Sequence, residues 1–108
     1  MRGMILSLAA VLALASCGER GERVTFNGMY FPAKSSKASD DRKDFVVTVR
    51  RVEQGLAEAR EAGRYEATKY CVNSFGTSQI DWAQGPDADA ALLVSNGRLT
   101  VRGRCRIW

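Results

Sequence analysis

At 108 residues and a formal charge of +4, the chain suits one small domain and is too weakly basic for a nucleic-acid-binding surface. It contains no histidine, which excludes histidine-based triads, histidine general bases and the commonest zinc ligand. Its cysteines are three, Cys17, Cys71 and Cys105, an odd number that needs explaining.

Arg2 precedes an apolar run from Met4 to Ala15, and Leu14-Ala15-Ser16-Cys17 sets small residues directly before a cysteine. This is the pattern of a bacterial lipobox. The run falls within the range of a signal-peptide core and short of the ~20 residues that span a bilayer. The reading predicts a cleaved signal peptide over 1–16, lipidated Cys17 and a short tether over 17–22, and a single domain over 23–108. Ala13-Leu14-Ala15 also satisfies the small-x-small rule of the ordinary signal peptidase, which would release a soluble chain starting at Ser16. Cysteine parity favours lipidation: it leaves an even pair, whereas plain secretion leaves an odd thiol in an oxidising compartment. Gly18 follows Cys17, where the lipoproteins this resembles often carry an inner-membrane-retaining aspartate. The expected location is therefore the cell envelope, anchored in the outer membrane and facing the periplasm. Gly18 to Glu22 spans under about 20 Å at ~3.5 Å per residue, which keeps the domain beside the headgroups. Without Arg2, fifteen basic residues stand against twelve acidic, a formal +3.

Arg23 to Phe26 and Met29 to Phe31 flank Asn27-Gly28, the dipeptide suited to a tight hairpin turn. Pro32 lacks a ladder donor and should end the second strand. Ala33 to Lys43 (AKSSKASDDRK) is polar without period and reads as an exposed loop. Asp44 to Arg51 alternates, with Phe45, Val47 and Val49 on one face and Val46, Thr48 and Arg50 on the other. From Val52 the period becomes helical. Val52, Leu56, Ala59, Gly63, Ala67 and Tyr70 form a stripe that predicts one continuous helix to about Phe75, with Gly76 as its left-handed cap. Ala59, Gly63 and Ala67 would make a small-residue ridge for close approach to a sheet.

Ile80, Asp81 and Trp82 predict a short strand, and Gly85-Pro86-Asp87 a turn. Ala91 to Ser95 and Arg98 to Ile107 flank a second Asn-Gly, Asn96-Gly97, which predicts a hairpin pairing Val94 with Leu99 and Leu92 with Val101. Leu99, Val101, Gly103, Cys105 and Ile107 would then face inward. Cys71 near the helix end and Cys105 on that inner face predict a disulfide, worth roughly 3–4 kcal/mol in the chain-entropy model. The alternative is two separate buried thiols.

With those cysteines bonded, no thiolate remains as a nucleophile or soft metal ligand. Carboxylates are left: Asp81, and the group Asp40, Asp41 and Asp44, which lacks the ordered spacing and glycine of a calcium loop. Both read most simply as solvated surface charge. No convergent catalytic set, metal site or cofactor-binding motif emerges, and a non-enzymatic role is expected. The functional lead is basic. Arg98, Arg102, Arg104 and Arg106 would project from one face of the last strand, joined by Trp108, with guanidinium groups suited to phosphate or carboxylate. An anionic envelope component or a periplasmic protein would be the partner, besides the membrane itself. The simpler reading is that these charges keep the sheet soluble.

Through the lipobox, Ala67-Thr68-Lys69-Tyr70-Cys71, Ile80-Asp81-Trp82 and Gly103-Arg104-Cys105, the chain resembles small bacterial envelope lipoproteins with a β-α-β-β core. In layout it is also similar to the lipid-anchored sensors of envelope stress, but it has one cysteine pair and no proline-rich linker, so no sensing residue carries over. The expected fold is α+β, two-layered, an antiparallel sheet of five to six short strands with one long helix across one face. The expected role is a binding module of the envelope. The alternative is a small-ligand carrier or stress sensor with a pocket between helix and sheet, lined by Phe45, Tyr70 and Trp82.

Overall fold

The computed structural model of the protein describes residues 24–107. The predicted signal peptide 1–16, Cys17 with its tether, and Trp108 lie outside the described residues. The described chain opens on two short strands, β1 (Thr25–Phe26) and β2 (Met29–Tyr30), paired antiparallel as a separate sheet. Asn27 and Gly28 turn between them at φ of 53° and 79°, the left-handed geometry this dipeptide accepts at little cost. Phe26 packs on Tyr65 with ring centroids 6.0 Å apart, and the Asn27 amide donates to Glu58 at 2.8 Å. These contacts tie the hairpin to the long helix.

The main sheet holds five antiparallel strands: β3 (Ala33–Lys37), β4 (Asp44–Arg50), β5 (Ile80–Gln84), β6 (Val94–Ser95) and β7 (Arg98–Cys105). Their order is β3-β4-β7-β5, with β6 also pairing β7. β5 lies along Arg102 to Cys105 and β6 along Arg98 and Leu99. β7 is therefore the spine of the sheet. Alternation sends Phe45, Val47, Val49, Leu99 and Val101 inward, where all five are fully buried. Burial of each contributes about 1.5–3 kcal/mol. Gly103 sits opposite Phe45, and a Cβ there would lie 3.0 Å from both the Phe45 ring and the Asp81 carbonyl. The aromatic ring occupies the space that a side chain at 103 would need.

Two expectations are corrected here. The polar stretch from Ala33 is not all loop: Ala33–Lys37 forms the edge strand, with Ala33 opposite Val49 and Lys37 opposite Phe45. Only the small Ala33 and Ser35 are turned partly inward, so backbone pairing holds the strand without an apolar pattern, and lysines mark its edge. Ala91 to Ser95 is likewise not one strand. Ala90–Leu93 makes a single helical turn, Leu92 is 67% exposed, and no Leu92–Val101 pair forms. The turn buries Leu93 instead, while Val94 opposite Leu99 agrees with the expectation. Asn96 and Gly97 turn the chain at φ of 53° and 73°.

The helix α1 (Leu56–Phe75) packs across the inner face of the sheet. It starts later than its period suggests. Arg51 adopts a left-handed φ of 62°, a short 3-10 turn covers Val52–Gln54, and Gly55 separates that turn from α1. The bend is held from both sides, by Arg50 N–H donating to Pro32 at 2.8 Å and Val52 N–H donating to Gly97 at 3.2 Å. The small-residue ridge behaves as expected: Ala59, Gly63 and Ala67 are all buried, and a Cβ on Gly63 would stand 3.3 Å from Leu99. Gly76 ends the helix at φ 71°, its N–H donating to Val72 at 2.9 Å. Cys71, near the end of α1, is bonded to Cys105 at the end of β7, Cα atoms 5.5 Å apart and both side chains buried. No helix of the described residues is long and apolar enough to cross a membrane.

Candidate anion-binding face

With α1 on one side of the sheet, the register lays out the other side row by row. Arg98 stands opposite Arg50; Thr100 opposite Thr48, which faces Lys34; Arg102 opposite Val46, which faces Ser36; and Arg104 opposite Asp44. On the far edge, Gln84 pairs with Arg102 and Asp81 with Arg104, the register shifting at the irregularity between Trp82 and Gln84. The Gln84 amide donates to the Thr100 carbonyl at 2.8 Å. Strand alternation thus places residues of four strands on one exposed surface.

The arginine row expected on β7 is present but divided. Arg104 donates to Asp44 at 2.9 Å and to Asp41 at 3.0 Å, one nitrogen to each carboxylate. Arg106 lies one residue beyond β7, its backbone N–H donating to Gln79 at 2.8 Å and its guanidinium paired with Asp81. Ile107 follows it outside the strand and is 43% exposed, so the inward alternation stops at Cys105. The carboxylates carry the marks of these contacts. Asp44 is held below the ordinary aspartate range by Arg104 and then by the Ser39 hydroxyl, and Asp81 by Arg106. For Asp41 the Lys43 backbone N–H is the leading cause, with Arg104 adding to it against partial desolvation. Asp81, Asp41 and Asp44 are thereby engaged in ion pairs, while Asp40 is an exposed loop residue.

The other end of the face is different. Among the described residues, Lys34, Arg50, Arg98 and Arg102 make no ion pair and no side-chain hydrogen bond, and all four are exposed. Three of them line a groove of about 550 Å³ whose walls are Tyr30, Pro32, Ala33, Lys34, Thr48, Arg50 and Arg98. Among the described residues, no carboxylate lines it. Pro32 adds apolar surface and Thr48 a hydroxyl to its largely cationic lining. The arrangement can surround an anion with charge-assisted donors from three strands.

The basic row expected on the last strand includes neither Arg50, which alternation turns outward on its own strand, nor Lys34. The adjacency of β4 and β7 brings Arg50 in, and the unexpected edge strand brings in Lys34. The outward alternation of Val46, Thr48 and Arg50 exposes Arg50, and nothing local in the sequence marks Lys34. Of the residues named for the alternative site between helix and sheet, Phe45 packs on both Tyr70 and Trp82, at 5.5 Å and 5.8 Å between ring centroids. The Tyr70 hydroxyl donates to the Arg42 carbonyl at 2.7 Å. A cavity of about 230 Å³ lies elsewhere between α1 and the β1–β3 edge, lined by Phe26, Phe31, Ala62 and Tyr65 among others. No family model, curated protein or solved structure matches the chain.

Proposed function

We propose that the chain is a lipid-anchored protein of the bacterial envelope, acylated at Cys17, whose folded domain is a non-enzymatic binding module for an anionic envelope component. Three features of the sequence support the anchor: the apolar leader, small residues before Cys17, and cysteine parity. The Cys71–Cys105 pairing accounts for the other two thiols and agrees with an oxidising compartment. The observation that carries the binding reading is the uncompensated charge of Arg98 and Arg102 on an exposed sheet face, joined there by Arg50 and Lys34.

The anchor is tested by metabolic labelling with a fatty acid. Cys17→Ala should abolish labelling and membrane fractionation; unchanged labelling contradicts the lipobox. Binding is tested by exposing solubilised envelope material to the protein and to an Arg98→Glu/Arg102→Glu variant. Salt-sensitive retention by the parent alone is expected, and equal retention by both removes the arginines from the role.

A further inference from the structure

We infer that the corner formed by Lys34, Arg50 and Arg98 is a docking surface for the phosphate headgroups of an anionic bilayer, so that the domain rests on the membrane through the outer face of its sheet. This deepens the function proposed above and rests on it for the bilayer's proximity. The first support is an electrostatic mismatch within one face. Arg104 and Arg106 have their counter-charges built in, from Asp41, Asp44 and Asp81. Arg50 and Arg98 instead oppose each other directly in register, with Lys34 on the next strand and no acidic residue among the described residues that line their groove. Like charges on facing strands repel at close range. An external anion converts that repulsion into attraction.

The second support is the chemistry of the groove. Guanidinium groups bind phosphate oxygens in pairs, Lys34 adds a point charge, and the Thr48 hydroxyl can donate to a third oxygen. Pro32 also lines the groove and gives apolar surface of the kind that settles at a headgroup boundary. The third is reach. Val24, the first described residue, lies seven positions after Cys17, a span of at most about 25 Å. Beyond about 8–10 Å from an exposed charge, salt screens its attraction, so among anions the nearest and densest governs. For a domain so tethered, that is the bilayer surface.

The test is flotation of the full chain with neutral phosphatidylcholine vesicles and with vesicles also containing phosphatidylglycerol. Each basic side chain near such a surface contributes roughly a fivefold gain in partition. The wild type should favour the anionic vesicles by at least about tenfold at low salt, and Arg50→Gln/Arg98→Gln should lose most of that preference. Arg50→Lys/Arg98→Lys, which keeps the charge, should retain it. Arg64→Gln/Lys69→Gln, an equal change in net charge on α1, should leave it nearly intact. Equal losses in the two glutamine variants, or no anionic preference in the wild type, would overturn the docking surface. So would binding of inorganic pyrophosphate with no vesicle preference, which would mark a site for a soluble phosphate. Because the comparison is between two vesicle types, a failed anchor appears separately, as absence of binding to neutral vesicles.

Discussion

Arg98 faces Arg50 across the β4–β7 ladder, while three rows along the same ladder Arg104 faces Asp44. One pair repels and the other is bonded, on adjoining strands of one exposed surface. Solubility alone needs no such arrangement, since alternating signs serve it as well. The repelling pair therefore has a measurable cost. Arg98→Gln is expected to raise stability by about 0.2–1 kcal/mol at low ionic strength, with the gain shrinking as salt is added. Urea unfolding at two salt concentrations measures it; a loss of stability would show that Arg98 has a stabilising partner.

The paired end predicts an acid response. Asp44 and Asp81 are held below the unfolded value of about 3.9, chiefly by Arg104 and Arg106, and Asp41 chiefly by the Lys43 N–H with help from Arg104. Between the folded and unfolded values the unfolded chain binds more protons, so stability rises with pH there. The contribution is complete above about pH 5 and is lost as pH falls through the depressed folded values. Asp44→Asn should flatten this slope. Unfolding midpoints followed from acid to neutral pH measure it; an unchanged slope in the variant would contradict the Arg104 contact.

Removing the bond between Cys71 and Cys105, which are 34 residues apart, should cost roughly 3–4 kcal/mol in the chain-entropy model. Non-reducing peptide mapping should recover the two as one linked species. Unfolding of the Cys71→Ala/Cys105→Ala variant gives the magnitude, and a change below about 1 kcal/mol would show that the core holds without the staple.

Close packing makes two glycines sensitive in different degrees. Gly103→Ala forces a Cβ against the Asp81 carbonyl and the Phe45 ring, both at 3.0 Å, and should cost about 1–3 kcal/mol. Gly63→Ala meets the Leu99 side-chain tip at 3.3 Å, with Val49 and Val101 at ordinary contact distance, and gains helix propensity of about 1 kcal/mol, so the net effect should be small. Thermal melts of the pair rank them; a larger loss at Gly63 would contradict the helix-to-sheet spacing described here.

Much of the architecture was legible along the chain because pattern and turn chemistry agreed. Phe45, Val47 and Val49 alternate in strand period, and both Asn-Gly pairs turn as their composition suggests. The small-residue ridge of Ala59, Gly63 and Ala67 marks the helix face that meets the sheet. Where patterns were silent or misleading, non-local pairing decided. Ala33–Lys37 is a strand because β4 supplies its hydrogen bonds, though its own side chains show no period. Leu92 fits a strand alternation, yet one helical turn buries Leu93 instead. The candidate site was half legible for the same reason. A strand's own alternation exposes Arg98 and Arg102, but no local signal puts Arg50 and Lys34 beside them or gives Arg104 its two aspartates.

The most direct measurement of the binding face is a heteronuclear NMR titration of the protein with anionic bicelles. Backbone signals of Lys34, Thr48, Arg50, Arg98 and Thr100 should shift together and reverse with added salt, while those of α1 stay still. Shifts centred on α1, or on the Asp41–Arg104 end of the face, would contradict docking at this corner.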